Sequence, residues 1–476
     1  MKNKIQLITY INRIGCKNTN ELKSLLTTEL KGLFGGVHLL PFFYPFDGED
    51  AGFDPIDHQQ VDKRLGTWND IKELSSEVAI MADLIVNHVS AKSIAFKDYL
   101  EKGGNSAYKS LFLTYDKVFP KGASEQDLLM VYRPRPGFPF TSFDFADGSK
   151  KLIWTTFTTN QIDIDVYSKL GTSYLDNILI TFQKAGISMI RLDAAGYAIK
   201  KQGTSCFMID ETFEFIGNLT KKAKSKNIEV LVEVHSHYKT QIEIAKQVDY
   251  VYDFALPLLV LDTIFNKNSN NLKKWLKISP KNVITVLDTH DGIGIVDVAS
   301  ENGIPGLIDD VTVDKIVNKI HNNSKKSSLK ATGVAASNLD LYQVNCTFFE
   351  ALAKNENDYL IARAIQFFVP GIPQVYYVGL FAGENDLELL QKTNVGRDIN
   401  RHYFTKSEIN QKIIATYFIK LKELMLLRNN HIAFNGEFQL LETKENILHI
   451  KWILNEDWAE LKVDLILMKM QINYSK

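Results

Sequence analysis

Short runs that are apolar throughout alternate along this chain with longer stretches in which apolar residues recur at helical spacing. The runs lie at 4–11, 35–43, 79–89, 187–193, 228–235, 249–256, 282–288 and 372–378, and they read as strands buried on both faces. Amphipathic helical patterns separate most of them, at 20–34, 67–77 with Thr67 as N-cap, 173–185, 211–226, 239–247 and 358–369. A last pattern at 408–429 sets Ile409, Ile413, Ile414, Tyr417, Leu421, Leu424 and Met425 on one face. Eight such alternations predict an α/β fold, a (β/α)8 TIM barrel.

Two connections exceed ordinary barrel loops, and both follow the C-terminal end of a strand. Residues 90–168 carry Gly and Pro clusters (RPRPGFPF at 133–140) and are expected to form an inserted domain B. Residues 292–356 are polar, with a helical pattern near 312–322, and are expected to form a lid domain B'. The barrel would then comprise 1–89, 169–291 and 357–430. Residues 431–476 alternate apolar and polar and read as a small C-terminal β domain; the Asn/Lys-rich stretch 266–274 reads as a turn.

Four of the strand-like segments end in ionisable residues: DLIVNH (83–88), SMIRLDAAGY (188–197), IEVLVEVHS (228–236) and VLDTHD (286–291). At the C-terminal rim of a barrel such groups reach a substrate. Arg191 and Asp193 lie two apart on one strand and so face the same side. The order of the four segments resembles the motif regions of the α-amylase superfamily, which implies retaining glycoside chemistry and its two carboxyl groups about 5 Å apart, one ionised and one protonated. Asp193, beside the fixed charge of Arg191, suits the nucleophile. Glu233 ends the apolar run VLVEV, whose desolvation favours the protonated acid. Phe53, Phe157 and Tyr197 would supply an apolar wall against a sugar face.

Composition narrows the partners. With 476 residues, 45% of them hydrophobic, the chain can bury a barrel core. Its 55 basic and 56 acidic residues leave a net charge of -1, which offers nucleic acid nothing to bind and favours a small neutral substrate. Three widely spaced cysteines, Cys16, Cys206 and Cys346, argue against a disulfide framework and for a reducing cytoplasm. The N-terminal stretch lacks an export pattern, and no apolar run is long enough for a membrane span. No phosphate-cradling glycine loop and no Cys/His cluster at metal-ligand spacing is present, so neither a nucleotide cofactor nor a metal is expected.

The order Asp-Asn-His, Arg-x-Asp, Glu, His-Asp resembles the four motif regions of the α-amylase superfamily, and the resemblance runs from about residue 5 to residue 430. It implies that Asp291 stabilises the distorted transition state through sugar hydroxyls. Asp50 and Arg397 match positions that clamp the far hydroxyls of a glucosyl ring, with His88 and His290 on its other edge and His235 beside the acid. Longer strings, among them GGVHLLPFFYPFDGEDAGFDPIDH (35–58), YRPRPGFPFT (132–141), RLDAAGYAIKKQGTSCFM (191–208), ASNLDLYQVN (336–345) and GRDINRHYF (396–404), resemble the sucrose phosphorylase family. That implies transfer of a glucosyl group from sucrose through a covalent intermediate on Asp193 to inorganic phosphate, a co-substrate, releasing fructose and α-glucose 1-phosphate. Arg135 and Tyr342 match two mobile loops that serve fructose and phosphate in turn. Asp340 and Gln343 match the fructose side, with Leu341 a further substrate-binding position between them. The family also leaves a homodimer open.

Three alternatives stand beside this reading: a phosphorylase for sucrose 6'-phosphate or another glucoside, a sucrose hydrolase on the same barrel, and a catalytically silent barrel. The string DLYQ (340–343) favours plain sucrose, and the carboxylates argue against the silent barrel.

Overall fold

The computed structural model describes residues 2–301, 303–333 and 342–476. Eight parallel strands close into a barrel in sequential order: β1 (Gln6–Thr9), β2 (Gly36–Leu39), β3 (Ala79–Ile85), β4 (Ile187–Asp193), β5 (Glu229–Val232), β6 (Tyr250–Asp253), β7 (Val283–Thr285) and β8 (Ile372–Tyr376). Each expected run contains one of them. The strands read as continuous apolar runs because helices cover their outer faces while side chains fill the barrel.

Met81, Met189, Leu231, Tyr252, Ile284 and Ile372 form a separate core cluster, each from a different strand. They fill the inside of the barrel. Because side chains alternate along a strand, Asp83, Arg191 and Glu233, each two residues after a member of this layer, point inward one step nearer the C-terminal rim. The register agrees, since Arg191 lies opposite both Asp83 of β3 and Leu231 of β5.

The helix expected at 67–77 begins where its cap predicts, whereas the one expected at 20–34 spans only Thr19–Thr27. Thr67 and Asp70 form a reciprocal capping box at the start of the helix Trp68–Glu77. The expected helices at 173–185, 211–226, 239–247 and 358–369 correspond to Lys169–Lys184, Asp210–Lys224, Tyr238–Ala245 and Glu356–Phe368. The pattern at 408–429, however, is two helices, Lys406–Lys412 and Thr416–Asn430. Ile409 packs closely beneath Gly15, whereas Tyr417, Leu421 and Met425 are buried on the second helix; the chain turns between these anchorages and leaves Ile414 exposed. The stretch 266–274 is likewise only partly a turn. The helix Leu256–Asn266 ends there at the left-handed Lys267, and a second helix runs over Asn270–Ile278. The first of these is buried almost all round, so it shows no amphipathic stripe.

After β3, His88–Ser90 pairs antiparallel with Gln161–Asp163. Between these strands lie the helices Ile94–Lys102, Tyr115–Val118 and Glu125–Met130 and a hairpin of Phe140–Asp144 with Lys150–Trp154. After β7, Ile293–Gly294 pairs with Gln343–Val344, and a helix spans Asp310–Asn323. The final segment forms a four-stranded antiparallel sheet, Glu437–Leu440, Ile447–Leu454, Asp457–Asp464 and Lys469–Tyr474. Trp452 anchors it by donating its indole N–H to Phe368 O at 2.7 Å. Cys16, Cys206 and Cys346 are unpaired and buried. Among the described residues, no helix is long and apolar enough to cross a membrane.

Candidate active site

One guanidinium organises the C-terminal end of the barrel. Arg191, itself 1% exposed, donates from Nη1 to Asp83 Oδ1 at 2.6 Å and to Asp193 Oδ1 at 3.1 Å, and its Nη2 lies 2.5 Å from Glu233 Oε1. Asp83 also meets His38 Nε2 at 3.2 Å and is fully buried. Burial works against its charge, but His38 and Arg191 outweigh burial and bring its pKa down to about 2. It is the floor of the site, not a wall.

Asp193 differs from the expectation that Arg191 holds its carboxyl low. Burial raises it well above the usual carboxylate range; Arg191 opposes this, and Glu233, Asp83 and Asp291 add to the rise. Burial dominates, and Arg191, shared among three carboxyls, does not offset it. The environment expected for Glu233 is corrected in the same way: it faces Arg191 and not an apolar pocket. Asp291 is driven low despite its burial, by Arg397 first and then by His290, Arg191 and Arg401. Its Oδ1 lies 2.9 Å from Arg397 Nη1, and Arg397 Nη2 donates to Tyr342 Oη at 2.9 Å. Burial keeps His290 neutral by pushing its pKa well below the ordinary value. Glu233, His235 and Asp291 have potential ligand atoms within 4.8 Å of one another, but Arg191 and Arg397 already contact an oxygen of each of the two carboxyls.

A single pocket gathers Asp50, Phe53, His88, Arg135, Phe157, Asp193, Tyr197, Glu233, His235, His290, Asp291, Tyr342 and Arg397. Arg191 lies beneath it. Gln343 adjoins His235, with its Nε2 3.0 Å from His235 Nε2 and its Oε1 accepting from Gly292 N at 3.2 Å. Asp340 and Leu341 fall outside the described residues. Asp50 is carried on a loop whose backbone N–H groups at Glu49 and Asp50 donate to Asp54, which also accepts from Asn160 Nδ2 at 2.6 Å.

Phe53 stacks on His290 at 5.0 Å, and Phe157 meets His88 and Tyr197 edge-on at 5.4 and 5.0 Å. Tyr132 and Phe207 extend this wall, each ring stacked on the other at 4.7 Å, and neither was singled out from the sequence. Phe207 sits between two residues with positive φ, Cys206 and Met208, and against Gly196, where a Cβ would lie 2.7 Å from its ring. Arg133, the neighbour of Arg135, is turned toward Gly137 O at 2.9 Å.

Two further buried groups were not legible as site residues. Lys200, whose side chain is 2% exposed, contacts Asp163 Oδ2 at 2.7 Å, donates to Asn87 Oδ1 at 2.7 Å, and bonds Tyr197 O. Asp297, fully buried, accepts from Gln241 Nε2 at 2.8 Å and lies 3.2 Å from His235 Nδ1. Lys200 reads in the sequence as one of a surface pair with Lys201. Asp83, by contrast, had a signal in its place two residues before Ile85 on an inward-facing period.

Comparison with known proteins identifies the family. Residues 30–379 match the family model described as the alpha amylase catalytic domain. The chain is 56% identical to a sucrose phosphorylase of Agrobacterium vitis, across 100% of this chain and 98% of that one. It is 50% identical to a sucrose phosphorylase of Bifidobacterium adolescentis, across 95% and 90%. The crystal structure of a sucrose 6F-phosphate phosphorylase from Thermoanaerobacter thermosaccharolyticum superposes with a TM-score of 0.93 at 38% identity, covering 100% of this chain and 96% of that one. The chain belongs to the α-amylase family and, within it, to the sucrose phosphorylase group.

Proposed function

We propose that this protein is an enzyme that transfers the glucosyl group of sucrose to inorganic phosphate, with retention, and that it also runs the reverse reaction. The observation that carries the reading is the Arg191 clamp, which holds Asp193 on one guanidinium nitrogen and Glu233 on the other at the inner end of a pocket lined by Asp50, His88, His290, Asp291 and Arg397.

An oxygen of Asp193 attacks the anomeric carbon while Glu233 passes its proton to the glycosidic oxygen. The carbon–oxygen bond to fructose breaks, and fructose leaves carrying that proton. A phosphate oxygen then attacks the same carbon, its proton returns to Glu233, and the ester bond to Asp193 breaks with the electron pair going back to the carboxylate. α-Glucose 1-phosphate is the product. The carboxyls are too crowded for all to ionise, and the rise at Asp193 supports one retained proton. Shifting that proton to Glu233 leaves the charge around Arg191 unchanged, so substrate binding has only to choose the site.

Asp291 and Arg397 grip ring hydroxyls opposite the leaving group, with His88, Asp50 and the neutral His290 completing the clamp. Arg135 draws in phosphate through its fork of donors, and Tyr342 lines the same pocket. Phosphate is a co-substrate, and no further cofactor enters these steps. Unpaired cysteines support a reducing compartment. The test is to incubate the protein with sucrose or sucrose 6'-phosphate, with and without phosphate, and to identify the glucosyl product. Glucose 1-phosphate formed preferentially from sucrose is expected. Free glucose as the main product at saturating phosphate, or a higher specificity constant for the phosphorylated donor, would overturn the assignment.

A further inference from the structure

Asp297 takes no part in the steps above and is buried completely, yet it ends beside a residue of the pocket. A carboxylate buried without a cation demands compensation. Here it comes from Gln241 Nε2 on one oxygen and the His235 ring on the other. The site is shaped to admit the carboxylate: a Cβ on Gly294 would lie 2.2 Å from Asp297 Oδ2 and 3.6 Å from His235 Nδ1.

The tautomer of His235 follows from hydrogen-bond accounting. Gln343 Oε1 accepts from the backbone N–H of Gly292, so the amide nitrogen of Gln343 is what faces His235 Nε2. That nitrogen donates, and Nε2 must therefore accept. The ring proton then sits on Nδ1 and is donated to Asp297. We propose that Asp297 is a positioning residue, fixing His235 as the Nδ1–H tautomer so that Nε2 holds Gln343 at the leaving-group side of the pocket. This rests on the reading of the pocket as a sucrose site, with Gln343 facing fructose.

Around the imidazole stand Asp297 and, on the pocket side, Glu233 and Asp291; Phe254 stacks on it at 3.9 Å and Tyr342 meets it edge-on at 6.4 Å. Arg191 and Arg397 stand beyond the two carboxylates. Burial opposes protonation of His235, but Asp297, followed by Glu233 and Asp291, raises its pKa above the ordinary value. The sign is clear. As pH falls through the raised value, Nε2 gains a proton, two N–H groups then face each other, and the hold on Gln343 is lost while hold on the glucosyl ring persists.

The experiment combines a tautomer measurement with donor-dependent pH profiles. In the parent protein, 15N chemical shifts of the His235 ring, assigned by their loss in His235→Asn, should show protonated Nδ1 and unprotonated Nε2 above the acid limb. Asp297→Asn keeps an acceptor but removes the charge, so the acid limb of kcat/KM for sucrose should move to lower pH by about half a unit or more. The profile for α-glucosyl fluoride, whose leaving group needs no grip, should stay where it was. Asp297→Ala should lower kcat/KM for sucrose by about tenfold or more and leave the fluoride within about threefold. An Nε2–H tautomer in the parent would overturn the proposal whatever the variants do. So would acid limbs that move together for both donors, which would point to Asp193 or Glu233. A parent protein that cleaves α-glucosyl fluoride but not sucrose would refute the donor assignment and leave the tautomer result standing.

Discussion

Replacing Lys200 by Met tests whether the pocket wall depends on a buried ammonium. In the parent, Lys200 Nζ sits among Asp163 Oδ2, Asn87 Oδ1 and Tyr197 O, with the Trp154 ring 5.8 Å away. Methionine fills a similar volume but removes the ammonium donor from those oxygens. Removing one partner of a buried ion pair costs about 3 to 5 kcal/mol. Asp163 keeps three other donors, Asn87 Nδ2 at 3.0 Å, Thr156 N at 3.1 Å and Thr156 Oγ1 at 2.5 Å, which places the expected loss near the lower end, about 3 kcal/mol. The functional consequence follows from connectivity. Asn87 precedes His88, whose Nε2 lies 2.9 Å from Phe53 O, and Tyr197 lines the same pocket. The kcat/KM for sucrose should fall about tenfold or more, because displacing either wall misaligns the glucosyl ring. Thermal and denaturant unfolding measure the first effect and steady-state kinetics the second. A Lys200→Met variant with parental stability and activity would refute the argument that this cation holds the segment after β3 against the site.

Asp193→Ala should abolish glucosyl transfer from every donor while the fold, followed by circular dichroism and unfolding, persists; appreciable residual turnover would remove Asp193 from the role of nucleophile. Glu233→Gln should lower turnover of sucrose by about 10² to 10⁴-fold but slow α-glucosyl fluoride much less, since fluoride leaves without a proton; equal losses on the two donors would reassign the acid. Arg135→Ala should raise the KM for phosphate by about one to two powers of ten, the worth of a charge-assisted bidentate contact, and shift product from glucose 1-phosphate toward glucose. An unchanged product ratio at limiting phosphate would exclude Arg135.

The eight strands were readable because a barrel strand is covered on both sides, and a run of apolar residues has few other uses in a chain of this composition. Arg191, Asp193 and Glu233 were readable for a related reason: period-two alternation carries the inward face from Met189 and Leu231 to the charged rim. The break at 413–415 was not, since Ile413 and Ile414 continue a helical stripe locally and only the separate anchorages of Ile409 and Tyr417 force the turn.

Protonation and positioning were decided by the tertiary structure. The sequence sets Arg191 beside Asp193, and by itself that adjacency argues for an ionised nucleophile. Folding buries Asp193 and brings Asp83 and Glu233 to the same guanidinium, so that burial first, and the neighbouring carboxyls after it, outweigh Arg191 at Asp193. Lys200 and Asp297 make the same point from outside the pocket. Their partners are 37 and 113 residues away in one case, Asp163 and Asn87, and 62 away in the other, His235. The one-dimensional order thus determined which strands build the barrel and which residue types meet at its rim. How those residues share protons, cations and hydrogen bonds depended on distances between segments far apart in the chain, because electrostatic and hydrogen-bonding energies are set by separation in space.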